Sequence, residues 1–214
     1  VFAIQSEIAA SIAEALKINL LDAGQGMPVA QVAASLPAYD LFLQARRLIH
    51  GRTRGGMAAA RGLLEEALKL DPNYAPALAA LAQTVLLLNN QWFGYGDMPL
   101  EQTLTLAKPL LDKALALDPM LAEAYAVQSQ LYSAQRQFQL AEAALAKALT
   151  LNPNLSDALL GQASVLGREG RQRELVVVLQ RVDAIDPLNV SNLLRLSGAL
   201  LDAGQRTEAQ AVMA

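Results

Sequence analysis

Apolar residues recur along most of this chain at intervals of three and four, the spacing that lines one face of an α-helix. The periodic runs are punctuated by Asp-Pro or Asn-Pro rather than by the β-branched clusters that mark strands. Four segments share one design: LKLDPNYAPAL, LALDPMLAEAY, LTLNPNLSDAL and DAIDPLNVSNL. In each, a helical run ends, an acidic or amide residue and a proline follow, and a second helical run begins. Proline stops the first helix because it lacks the amide hydrogen and restricts the residue before it. The punctuating prolines are Pro72, Pro119, Pro153 and Pro187, spaced by 47, 34 and 34 residues. The pattern predicts helix hairpins stacked in series and no sheet.

A 34-residue period built of two helices resembles the tetratricopeptide repeat (TPR). The residues inside each period agree. From Ala122, the family's large, large, small and aromatic places hold Tyr125, Gln128, Ser129 and Tyr132, and the second helix presents Ala141, Leu145 and Ala148. The next period offers Leu159, Ala163 and Leu166, then Leu175, Leu179 and Val182, with Leu175 where the family places alanine. Upstream, Leu78, Leu81, Ala82 and Val85 pair with Ala107, Leu111 and Ala114, and the first period reads Leu41, Ala45 and Leu48 against Ala60, Leu64 and Ala67. The last runs through Leu193, Ser197 and Leu200 to Ala209 and Met213. Small residues let helix backbones approach while large neighbours fill the grooves beside them. The expected fold is all-α, a right-handed TPR superhelix of four to five repeats with an extra N-terminal helix. Residues 1–37 read as that amphipathic helix and a linker, and 38–214 as the solenoid, with repeats at 38–74, 75–121, 122–155, 156–189 and a truncated 190–214.

Two irregularities stand out. The second repeat carries 13 extra residues, NNQWFGYGDMPLE, between its helices, and Pro109 falls inside the helix that follows, where a kink or break is expected. At the start, Phe2, Ile8, Ile12, Leu16 and Leu20 recur at helical spacing opposite Glu7, Glu14 and Lys17. Such a stripe needs a cover, either the first repeat or a second copy of the chain in a homodimer. Beginning with Val in mid-pattern, the chain reads as a piece of something longer.

The run VFAIQSEIAASIAEALKINL, a polar link and AYDLFLQARRLI resemble a bacterial arrangement in which a TPR region follows a TolB-like (FlgO-like) domain. It occurs in winged-helix (CadC-like) regulators and class III adenylate cyclases. The Gly94 to Gly96 loop and LEQTLTLAKPLLDKALALDP fit the same lineage. The resemblance implies that any DNA-binding or cyclase domain lies upstream of Val1.

Composition narrows the chemistry. The formal net charge of −3 gives no global pull toward nucleic acid or anionic membrane, and the absence of cysteine excludes thiolate chemistry and disulfides. No window reaches about 18 uninterrupted apolar residues, so membrane insertion is not expected. The compartment, cytoplasmic or periplasmic in a bacterium, stays open. His50 is the single histidine and reads as a helix-terminus residue. Glu65 and Glu66 point about 100° apart on a helix and suit a solvated face better than paired acid–base work. GRTRGG at 51–56 lacks the GK[ST] ending of a phosphate loop. No catalytic residue, metal ligand or cofactor is assigned, and the chain is not expected to be an enzyme.

Three features speak to binding. Arg46, Arg47, Arg52, Arg54 and Arg61 crowd the first repeat, and read as a solvated edge or a contact with an upstream domain rather than a phosphate-holding surface. Trp92, Phe93 and Tyr95 form an aromatic patch in the long loop, to pack on the solenoid or to anchor a partner. In TPR proteins the first helix of each pair lines the concave groove. That places Phe42, Arg46, Ala79, Gln83 and Leu86 there, then Glu123, Ala126, Gln130 and Ser133, then Asp157, Leu160, Ser164 and Arg168. All five lysines (Lys17, Lys69, Lys108, Lys113, Lys147) fall outside those helices, which argues against a chaperone-tail receptor. The expected function is a protein-interaction scaffold holding a peptide or protein segment, with a small-ligand sensory module as the alternative.

Overall fold

In the computed structural model the described residues, 29–89 and 95–212, form ten helices. They are α1 (Val29–His50), α2 (Arg54–Leu70), α3 (Ala75–Leu87), α4 (Leu100–Leu117), α5 (Ala122–Ala134), α6 (Phe138–Leu151), α7 (Ser156–Arg168), α8 (Gln172–Ile185), α9 (Val190–Asp202) and α10 (Arg206–Val212). Among these residues there is no strand, only an isolated bridge between Asn89 and Met98. The helices pack as consecutive hairpins, and each hairpin packs on the next.

One device repeats at the junctions between hairpins. The amide of Asp71, Asp118, Asn152 or Asp186 closes the preceding helix by donating to the carbonyl of Ala67, Ala114, Ala148 or Val182. In the first three, the side-chain oxygen then accepts the amide two residues on: Asn73 at 3.0 Å, Met120 at 2.9 Å and Asn154 at 3.1 Å. These Asx turns explain why an Asp or Asn stands before the first three prolines: proline blocks the helix, and the side chain supplies the turn's hydrogen bond.

The core follows the expected small–large–small register. Ala60, Leu64 and Ala67, Ala107, Leu111 and Ala114, and Ala141, Leu145 and Ala148 are all buried. In the fourth repeat Leu179 and Val182 are buried, while Leu175 is only partly so and lies beside Gly167. The first repeat departs by one position. Its inner stripe is Ala38, Phe42, Ala45 and Ile49, with Leu41 and Leu48 at the flanks. In α3 every residue except Pro76 is buried, because it lies at the centre of the largest apolar cluster, which runs from α1 to α5.

Two expectations are modified. α1 begins at Val29 and continues through Pro37, so the end of the stretch read as a linker is helical. Helix α4 runs without a break through Pro109, whose ring is exposed. The carbonyl deprived of a donor is that of Thr105, also an exposed residue and so open to solvent. The amphipathic segment with Phe2, Ile8, Ile12, Leu16 and Leu20 lies outside the described residues, as do Trp92, Phe93, Gly94 and Met213.

The base of the long loop is described and tightly tied. Met98 donates its amide to Leu88 at 3.2 Å, and Asn89 Nδ2 donates to the Met98 carbonyl at 3.2 Å. Thr103 Oγ1 in turn donates to the Pro99 carbonyl at 2.9 Å, which fixes the first turn of α4. Gly96 passes so close to Leu88 that a Cβ would sit 2.4 Å from its carbonyl oxygen.

Candidate functional site: the concave trough

The first helices α1, α3, α5, α7 and α9 contribute most of the lining of two cavities of about 420 and 510 Å³. The smaller lies toward the first repeat and is lined by Phe42, Arg46, Tyr74, Ala79, Gln83, Glu123 and Asp157, among others. The larger includes Leu86, Tyr95, Gln130, Ser133, Leu160, Ser164 and Arg168. Arg52 and Asp157 line both, so the two cavities are parts of one trough.

Every expected groove residue except Ala126 is therefore brought to this trough. Ala126 instead is buried at the contact of α5 with α6 and α7, against Leu145, Ala148 and Ala158. Ala79, Gln83 and Leu86 form a nearly inaccessible floor, at 1, 8 and 7% exposure, because α3 is enclosed on all sides. Phe42 also sits low, edge-on to Tyr74 with ring centroids 5.3 Å apart and with the Arg46 guanidinium 5.7 Å from its own ring. Burial pushes the Tyr74 phenol above its usual pKa.

A clasp crosses the trough where the cavities meet. Gln83 Nε2 on α3 donates to Asp157 Oδ2 on α7 at 2.9 Å, and Arg52 Nη2 from the α1–α2 turn reaches Oδ1 at 3.5 Å. The first, second and fourth repeats thus meet on one carboxylate. Farther along, Arg168 lies over the Phe138 ring at 4.1 Å and pairs with Glu142 at 3.2 Å.

The five arginines of the first repeat do not form one patch. Arg54 pairs with Asp97, Arg61 with Glu65 at 2.7 Å, and Arg52 with Asp157. Arg46 and Arg52 face the trough, and His50, the last residue of α1, lines it too. Glu65 and Glu66 are held separately, by Arg61 and Lys69, as carboxylates of a solvated helix face.

Two trough residues were not anticipated. Arg195 on α9 donates through Nη1 to the Leu160 carbonyl at 3.2 Å and through Nη2 to Ser164 Oγ at 3.1 Å, and burial pulls its pKa down. It stands 34 and 68 residues beyond Gly161 and Val127, in a register otherwise held by small or apolar residues. Arg136 lines the larger cavity from the α5–α6 turn. Lining up the turns would have shown it replacing a glycine. Among the described residues no group of three or more His, Cys, Asp and Glu side chains is arranged to hold a metal ion. No helix among them is long and apolar enough to cross a membrane.

Comparison with known proteins agrees with this architecture. Residues 122–155 match the family model described as tetratricopeptide repeat. The fold is that of solved TPR solenoids. A thermophilic TPR protein of Thermus thermophilus superposes with a TM-score of 0.61 at 22% identity, covering 82% of this chain and 87% of that one. Pseudomonas aeruginosa PilF does so with a TM-score of 0.56 at 20% identity, covering 84% and 75%. Among curated proteins, 109 residues are 31% identical to "Putative adenylate cyclase 3" of Rhizobium meliloti (strain 1021). The match takes in 50% of this chain and only 19% of that relative's length.

Proposed function

We propose that the trough holds a segment of another protein, extended or helical, and that the chain is the protein-binding, regulatory part of a larger bacterial protein. The observation that carries this reading is the continuity of the trough: two cavities joined at Arg52 and Asp157 make a channel suited to a chain segment more than to a compact small ligand. Its polar lining, with Gln130, Ser133 and Ser164 beside Leu86 and Leu160, offers hydrogen bonds to a peptide backbone and apolar seats for side chains. The match to a putative adenylate cyclase supports an output domain of the cyclase kind elsewhere in the parent, where any catalysis would reside.

Panning a random peptide library against the chain, and against a Gln130→Trp/Ser133→Trp variant with a filled trough, tests the reading. Peptides should be enriched on the first and lose binding to the second. No enrichment, or equal binding to both, overturns it.

A further inference from the structure

Four of the intra-repeat turns place a residue in the left-handed region: Arg52 (φ 48°), Arg136 (φ 60°), Gly170 (φ 71°) and Gly204 (φ 79°). The last three are the same turn. In each, the left-handed residue donates its amide three residues back, and its successor donates five back: Gln137 to Tyr132, Arg171 to Leu166, Gln205 to Leu200. Arg52 likewise donates three back, to Ile49. Glycine adopts this conformation freely, whereas a side chain is strained in it. Two turns have the relaxed residue and two have arginine, and both arginines line the larger cavity while neither glycine does. Strain retained where a side chain reaches a binding cleft points to a role for that side chain.

Arg195 converges on the same cavity. It is held only by neutral acceptors, and no carboxylate pairs with it among the described residues. Nor does Arg136 form an ion pair there. With Arg52 and Arg168, which pair with Asp157 and Glu142, four guanidinium groups line a cavity whose one lining carboxylate is Asp157, so Arg136 and Arg195 carry its unpaired positive charge in a chain of net charge −3. Clefts lined by one sign of charge concentrate the opposite sign.

Resting on the proposed function, we infer that this end of the trough selects an acidic peptide segment, whose Asp or Glu carboxylates pair with Arg136, Arg195 and Arg52, and that Asp157 is the internal carboxylate such a ligand displaces from Arg52. Arginine suits the task because its planar fork binds carboxylates bidentately.

The test uses fluorescence anisotropy with a labelled octapeptide alternating Glu with Leu and Ser, and its twin carrying Gln for Glu. The wild-type chain should bind the acidic peptide at least tenfold more tightly, and the preference should shrink as sodium chloride rises. Arg195→Gln should remove most of the preference. Asp157→Asn should move the other way and tighten binding of the acidic peptide several-fold. Arg136→Gly separates binding from folding: it should weaken the acidic peptide severalfold while its unfolding midpoint stays at or above that of the wild type.

Equal affinity for the twins, or a preference unchanged in both Arg136→Gly and Arg195→Gln, overturns the inference, as does inorganic phosphate displacing the peptide at concentrations where sulfate-free salt of equal ionic strength does not. If library peptides still bind the trough while the twins do not differ, the charge selection fails and the interaction function stands. If no peptide distinguishes the filled trough from the open one, both fall.

Discussion

An L-residue in the left-handed helical region carries roughly 1–2 kcal/mol of steric cost that glycine escapes. Arg136 therefore stands in a position where the homologous turns at Gly170 and Gly204 are relaxed. Its side chain makes no ion pair among the described residues that would offset the strain. Arg136→Gly should stabilise the solenoid by about 1 kcal/mol, measured by chemical denaturation. A loss of stability instead would mean that the side chain packs in a way its exposure does not suggest. Gly96 illustrates the opposite constraint, one of space rather than of φ. A methyl group there would meet the Leu88 carbonyl oxygen at 2.4 Å and its Cα at 2.9 Å, both rigid backbone. Gly96→Ala should cost about 1–3 kcal/mol, the range for forced overpacking. It should also raise hydrogen exchange at the Met98 amide, which donates to that same carbonyl. An unchanged midpoint together with unchanged protection would show that the loop base is not packed as described.

At the level of elements, the helix-to-helix contacts were legible because they recur. Ala141, Leu145 and Ala148 could be placed from the sequence since small and large residues alternate at the same offsets before Pro72, Pro119 and Pro153, and small residues let the helix backbones approach. Ala148 is fully buried, and with Ala126 and Ala158 it sets the approach of α5, α6 and α7. Ala148→Leu should thus destabilise by about 1–3 kcal/mol through overpacking, read as a lower unfolding midpoint, and a midpoint that does not fall would contradict the register. Where repetition weakens, so does legibility. In α1, Leu41 and Leu48 flank Ala45 as plausibly as Phe42 and Ile49 do, and only the position of Tyr74, edge-on to Phe42, decides between the stripes. The trough was foreseen through its first-helix positions, because these share one helical face. Arg136 was hidden because it lies in a turn, and Arg195 because its register reads as core in earlier repeats; a charge there can be recognised as lining a cavity only once α7 and α9 are seen side by side.

Across the whole molecule, a solenoid gains its stability from nearest neighbours, so a contact between its first and fourth repeats is unlike the rest. Asp157 makes that contact, 105 residues from Arg52 and 74 from Gln83. The Arg52 and Asp157 side chains are 26 and 33% exposed, and a pair so open to solvent is worth about 0–1 kcal/mol. That is too little to matter for folding. It is enough to bias the pitch of the superhelix, since about 1.4 kcal/mol is a tenfold shift of an equilibrium and a fraction of that still changes populations severalfold. Asp157→Ala, which also removes the acceptor of Gln83 Nε2, should therefore lower the unfolding free energy by no more than about 1–3 kcal/mol while relaxing the distance across the trough. Spin labels at the exposed positions Gln44 and Glu169, on the first and fourth repeats, report that distance. The distribution should broaden or shift to longer values in Asp157→Ala, and the wild type should approach it at about 1 M salt, where the screening length falls to about 3 Å and a 3.5 Å partly exposed pair is weakened. Identical distributions in the two proteins at low and high salt would mean that helix packing alone fixes the pitch and that the clasp restrains nothing.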